Sequence, residues 1–173
     1  RMHRALGEAI DRANEGDAHW SALDLGALQL GFADGTPIEE LSDDSATLVD
    51  QITQADGVLL ASPVYRASMT GALKNALDLL PVDALRAKPV GILAMGGGHQ
   101  HFLGVASHLR DVLAWFGAVI APTDVYLVSR DFTEGAPTPE TGAELDALLR
   151  TVERMAQALG DDELGPPPLA ARY

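Results

Sequence analysis

Two short stretches carry residues whose types and spacing suit a flat, electron-rich ligand. The first is Ser62-Pro63-Val64-Tyr65-Arg66-Ala67-Ser68-Met69-Thr70, which follows the apolar run Gly57-Val58-Leu59-Leu60-Ala61. A proline turn after a buried strand places an aromatic ring and several backbone amides beyond the strand's carboxyl end, where open α/β sheets bind ligands. The second is Gly96-Gly97-Gly98, which ends the apolar run Val90-Gly91-Ile92-Leu93-Ala94. Without Cβ atoms this backbone can be approached closely, and its amides can face an electron-rich edge.

Other chemistries lack a complete set of groups. Reading G-x-G-x-x-G from Gly96 puts His101 at the last glycine, and the turn follows a late strand, so the dinucleotide fingerprint is not met; there is no P-loop either. His99, His101 and His108 match no familiar metal spacing and no carboxylate joins them. His99 is expected at the rim of the glycine turn, with His101 and His108 on a helix surface or interface. Ser62, in Ala-Ser-Pro, and Ser107, in Ala-Ser-His, do not form a nucleophile elbow. Asp43-Asp44 and Asp161-Asp162 read as solvated loop charge, and Lys74 as a surface or interface lysine rather than a Schiff base. With no acid, base or nucleophile set, the sequence fits a protein whose cofactor carries the chemistry.

The elements that must position these stretches follow from periodicity. Met2, Leu6, Ile10 and Ala13 predict a helix over residues 2–14, and Leu48, Val49 and Ile52 a short one over 45–54. Residues 70–80 carry Leu73, Leu77 and Leu80 on one stripe. Phe102, Val105, Leu109, Val112, Leu113 and Phe116 define another helix, closed by Gly117. Thr138 with Pro139 starts a last helix, which Gly160 ends. Strands are expected over residues 19–25, 57–61, 90–94 and 119–128, the last with an irregular entry at Pro122. Residues 26–44 and 129–138 read as loops.

Alternating strands and helices imply a parallel sheet covered on both faces. The pattern opens on a helix, whereas a doubly wound domain normally opens on its central strand, followed by a phosphate-binding turn at a helix N-terminus. That strand and turn are expected to lie outside this sequence.

The 173 residues, 47% hydrophobic, fit one domain with a full core, assigned to residues 1–160, with 161–173 an extended Pro-rich tail. A formal net charge of −13 disfavours nucleic acid and anionic membrane surfaces as partners. No apolar run approaches the ~20 residues of a membrane span. The absence of cysteine excludes disulfides, a thiolate nucleophile and cysteine-held metals. A cytoplasmic enzyme is the expectation.

Residues 62–81, SPVYRASMTGALKNALDLLP, and 90–104, VGILAMGGGHQHFLG, resemble the second and third flavin-binding loops of the NAD(P)H-dependent FMN reductases. The resemblance is nearest to the reductases of two-component sulfonate monooxygenase systems and covers about residues 1–130. It implies a flavodoxin-like three-layer sandwich with strand order 2-1-3-4-5. It implies FMN, with NADPH or NADH as co-substrate. It also implies that Pro63, Val64, Tyr65 and Arg66 shape a loop against the flavin ring and ribityl chain, with Ser68 following. Gly96, Gly97, Gly98 and His99 would approach the pyrimidine edge through the backbone. No side chain is implied as an acid or base. The family's phosphate loop has no counterpart here and is expected just before Arg1.

The implied activity is hydride transfer from NAD(P)H to flavin, with reduced FMN supplied to a partner monooxygenase. The alternatives are a bound-FMN reductase of quinones, azo dyes or metal ions, and a flavodoxin-like electron carrier without NAD(P)H activity. A homodimer or homotetramer is implied, burying the helix over 71–80 with its small residues Gly71, Ala72 and Ala76 beside Leu73 and Leu77.

Overall fold

Val58–Pro63 (β1) and Pro89–Met95 (β2) are the two longest strands of the sheet. In the computed structural model, which describes residues 1–98, 102–160 and 164–166, they run parallel from the pair Val58–Val90 to the pair Pro63–Met95. Six of the seven β2 residues are buried. That is the continuous apolar pattern of a strand covered on both faces, rather than the alternation of a half-exposed one. On its other side β2 pairs in parallel with Val119–Ile120 (β3) and Val125–Leu127 (β4). The interruption at Pro122 thus divides one sheet edge into two short strands.

Among the described residues, five helices form the outer layers: Met2–Ala13 (α1), Ser45–Gln54 (α2), Gly71–Asp78 (α3), Phe102–Phe116 (α4) and Pro139–Leu159 (α5). Leu48, Leu73, Leu77, Leu109 and Leu113 of α2, α3 and α4 pack with Leu60, Val90 and Ile92 on one face of the sheet. Ala5 and Ala9 of α1 pack with Leu93, Leu145, Leu148 and Leu149 on the other. Gly57 and Gly91 let α5 sit close to the sheet, since a Cβ on either would press on Val152 at 2.7 and 3.0 Å. Arg12 joins α1 to α5 through a forked bond to Asp146, with its Nη2 2.8 Å from Oδ1. Thr138 Oγ1 accepts from the Thr141 amide at the start of α5, with Pro139 in the first turn, and Gly160 (φ +52°) ends the helix.

Three expectations change. Residues 19–25 form no strand. The segment is held instead at Trp20, with Asn14 bonding both of its backbone groups and its indole donating to Glu153. A strand needs a ladder partner, and the edge of β1 is separated from this segment by an apolar cavity of about 440 Å³, lined by Leu23, Leu25, Leu48, Val58, Leu60 and Leu73 among others. The 2-1 part of the expected strand order is therefore absent among the described residues, while the three-layer parallel arrangement stands. Residues 129–138 are not simply loop: a 3-10 turn leads into a small antiparallel hairpin of Phe132–Thr133 (β5) and Ala136–Pro137 (β6). In α3, Leu73, Ala76 and Leu77 are buried in the protein's own core, leaving Gly71, Ala72, Lys74 and Asp78 outward. Most of the Pro-rich tail falls outside the described residues.

Candidate flavin site

Because β1 and β2 are parallel with Pro63 opposite Met95, the chain leaves both strands at the same edge of the sheet. The Val64 amide donates to the Met95 carbonyl at 2.8 Å and extends the ladder by one step. The Gly96 amide donates to the Leu127 carbonyl at 2.9 Å and ties the glycine turn to β4. The two stretches singled out by residue type are thus neighbours in space.

Beyond Val64 the chain makes a tight turn. Tyr65 and Ser68 exchange both backbone bonds, at 2.9 and 3.0 Å, around Arg66 (φ +52°) and Ala67 (φ +61°). Two successive left-handed residues define a primed hairpin turn, which Asn-Gly or Gly-Gly would normally occupy. With Arg and Ala each such position costs about 1–3 kcal/mol and persists only where the surroundings enforce it.

Several contacts enforce it. Ser62, 1% exposed, accepts from the Thr70 amide at 3.0 Å and donates to the Pro63 carbonyl at 2.9 Å, closing the loop at its base. Met69 is buried in the main core and anchors the descending limb. Behind the turn, Gly104 of α4 brings helix backbone so close that a Cβ would stand 2.5 Å from the Ala67 carbonyl oxygen. One turn further on, His108 Nδ1 lies 2.8 Å from Ser68 Oγ. What the loop presents outward is Tyr65, 63% exposed, and the exposed Arg66.

The glycine turn is supported from below by Tyr126. A Cβ on Gly96 would overlap the Tyr126 hydroxyl and touch Val64 Cγ2 at 3.3 Å. The same hydroxyl donates to the Gly98 carbonyl at 2.8 Å. Partial burial pushes the Tyr126 phenol above its ordinary pKa, which keeps the donor proton in place. Gly97 is exposed, and a Cβ there would meet nothing within 4 Å. An open backbone ledge beside an exposed aromatic ring fits a flat heterocycle better than a metal ion. Among the described residues no cluster of three or more His, Asp or Glu could hold a metal.

Residues 1–133 match the family model described as NADPH-dependent FMN reductase. The chain belongs to the NADPH-dependent FMN reductase family. The NAD(P)H-dependent FAD/FMN reductase of Geobacillus thermodenitrificans is 36% identical over 112 residues, 65% of this chain but only 60% of that protein. The NADH-dependent FMN reductase SfnF of Pseudomonas putida is 35% identical over 156 residues, 89% of this chain and 83% of that one. A solved apo NADH:FMN oxidoreductase shares the fold with a TM-score of 0.71 at 26% identity, covering 99% of this chain and 89% of the other. No described helix of this family member is long and apolar enough to cross a membrane.

For this FMN reductase family member, Pro63, Val64, Tyr65, Arg66, Ser68, Gly96, Gly97 and Gly98 fall at the paired strand ends. His99 and His101 lie outside the described residues. Lys74 is exposed and ion-paired with Asp78 at 2.6 Å, as a surface lysine. Sequence reasoning missed four supports: Ser62, Gly104, His108 and Tyr126. Gly104 carried a signal, being a glycine inside a helical pattern. Tyr126 and Ser62 carried none, because each reads as an ordinary strand residue until the partner segment is in place.

Proposed function

We propose that this chain catalyses NAD(P)H-dependent reduction of FMN, at the ledge between the Tyr65–Ser68 turn and the Gly96–Gly98 turn. The observation that carries the reading is the pairing of these two turns at one sheet edge, joined by the bond from Val64 to Met95. When bound there, FMN supplies the two-electron centre, taking a hydride from NAD(P)H and a proton from solvent to give NAD(P)+ and reduced FMN.

The protein's own part is positioning. Pro63, Val64, Tyr65 and Arg66 would line one side of the ring and the ribityl chain. The backbone of Gly96, Gly97 and Gly98 would meet the pyrimidine edge, where fixed amides stabilise negative charge without reorganising. His99 belongs to the same proposed rim. Exposure of Tyr65 and Gly97 leaves room for a second flat ring to stack, and stacking geometry, not a proton donor, governs a hydride transfer of this kind.

The proposal extends to assembly. A homodimer or homotetramer formed through α3 would use Gly71, Ala72, Lys74 and Asp78, the residues that the chain's own core leaves free. Delivery of reduced FMN to a partner monooxygenase is the use that the resemblance to two-component systems suggests.

The test is direct. FMN added to the purified chain should lose fluorescence with saturation, and NADH or NADPH oxidation should then depend on FMN. Absence of both signals in a protein that carries a phosphate loop ahead of Arg1 would sink the reading. Sequential kinetics in FMN and NAD(P)H would place FMN as a dissociable substrate. Ping-pong kinetics with a quinone or azo dye would favour a bound-FMN reductase instead.

A further inference from the structure

His108 sits on α4, outside the ledge, yet it is bonded to the loop that forms it. Its Nδ1 lies 2.8 Å from Ser68 Oγ. Ser68 has already committed both backbone groups to Tyr65, so its side chain is the handle by which another element can hold the turn. The turn needs holding: Arg66 and Ala67 both have left-handed φ without being glycine or asparagine. Such conformations survive where neighbours over-determine them and relax where they do not.

The neighbours come from two directions. Ser62 and Met69 fix the base of the loop. The tip is held from α4, by the backbone of Gly104 against the Ala67 carbonyl and by His108 against Ser68. Gly104 supplies a steric backstop, which prevents the turn from moving inward. The bond from His108 is directional and opposes motion outward. The imidazole can serve in either protonation state: neutral Nδ1 accepts from the hydroxyl, and protonated Nδ1 donates to it.

We propose that His108 is a positioning residue, which through Ser68 locks the Tyr65–Ser68 turn and so sets Tyr65 and Arg66 for the flavin. The idea rests on the flavin reading above for its consequence but not for the lock itself. His108 touches neither ring nor nicotinamide in this role. It acts by keeping closed a turn whose backbone would otherwise open.

Arg66 provides a reporter that needs no flavin. Trypsin can cleave after Arg66 only when the turn opens to an extended chain, so the cleavage rate there, followed by mass spectrometry on the full chain without FMN, measures opening. The variants are His108→Ala, Ser68→Ala, the double variant, and His108→Asn, whose amide falls where Nδ1 sits. Expected are about five- to tenfold faster cleavage after Arg66 in each alanine variant, as for the loss of one hydrogen bond. FMN affinity should weaken by the same factor. The double variant should be no worse than either single one, and His108→Asn should restore most of both effects. The unfolding equilibrium should shift by no more than the same factor, which separates a local lock from general damage. Unchanged cleavage in His108→Ala, or full additivity in the double variant, would overturn the proposal. If the chain with a phosphate loop ahead of Arg1 binds no FMN, the flavin reading fails. Faster cleavage in the alanine variants would then still establish the lock, and unchanged cleavage would remove both.

Discussion

Replacing Gly104 with alanine gives the sharpest test of how the loop is positioned. Gly104 lies in α4, where glycine is intrinsically poor, and alanine would favour the helix by up to about 1 kcal/mol. Against this, the new Cβ would stand 2.5 Å from the Ala67 carbonyl oxygen and 3.1 Å from its carbon. Both are backbone atoms, so no side-chain rotation relieves the contact. Overpacking of this kind costs about 1–3 kcal/mol. The expected change in stability is therefore small or moderately unfavourable. The functional cost should be larger: the turn must retreat until 2.5 Å becomes at least 3.4 Å, and a displacement near 1 Å can cost on the order of 100-fold where alignment matters.

Two other helical glycines supply the controls. A Cβ on Gly7 of α1 would meet nothing within 4 Å, and one on Gly142 of α5 would touch only the Arg12 guanidinium, at 3.4 Å. Gly7→Ala should stabilise by about 0.5–1 kcal/mol in urea unfolding with FMN binding unaltered. Gly104→Ala should fall about 1–3 kcal/mol below that control and bind FMN at least tenfold more weakly by flavin fluorescence. Equal stabilisation by both substitutions, with equal FMN affinity, would refute the argument that α4 backs the turn.

Two further outcomes are expected. Tyr126→Phe should destabilise by about 0.5–1.5 kcal/mol through the unpaired Gly98 carbonyl. Because burial raises the folded pKa of Tyr126 above its unfolded value near 10, its contribution is full below about pH 10. It is lost as pH rises through the folded value. Unfolding midpoints of the wild type should thus decline across that alkaline window more steeply than those of the variant, and parallel declines would count against the assignment. The cavity beside β1, about 440 Å³ and lined by core leucines and valines, leaves apolar side chains that a further strand would cover. Fusing an apolar, strand-forming hexapeptide ahead of Arg1 through a short linker should raise the melting temperature, and a proline at its centre should abolish the gain. No rise with the unbroken hexapeptide would show that the slot does not accept a strand.

The legible and illegible parts of this molecule divide on physical lines. Helices with a clear stripe were read nearly to the residue: α2 falls at 45–54 as expected, and Thr138, Pro139 and Gly160 bracket α5. Those signals are local, set by 3.6-residue periodicity and by caps. The strand expected over 19–25 failed because a strand is not a local object. Leu23 and Leu25 do alternate inward with exposed neighbours, but with no ladder partner beside them the segment remains extended coil. Helix α3 shows a similar limit. Its small residues invited an interface, yet Ala76, Leu73 and Leu77 are consumed by the protein's own core. Periodicity reveals which residues share a face and says nothing of what covers that face.

The site itself follows the same division, with a consequence for where function is vulnerable. Tyr65 and Gly96–Gly98 were visible because residue type marked them, but what holds them is mostly backbone conformation enforced at a distance in sequence. The turn at Arg66–Ala67 depends on Gly104 and His108, some 40 residues on. The glycine ledge depends on Tyr126, 28 residues from Gly98. If flavin carries the chemistry as proposed, the protein has little to lose from exchanging any one side chain at the ledge. It would have much to lose from a sub-ångström shift of the backbone proposed to align two stacked rings. Sensitivity to substitution should accordingly be greater at the hidden supports, Ser62, Gly104 and Tyr126, than at the exposed Arg66. Ser62 is the strictest of these, since its buried hydroxyl serves the Thr70 amide and the Pro63 carbonyl at once. Alanine there leaves both backbone groups without the partner that joins them.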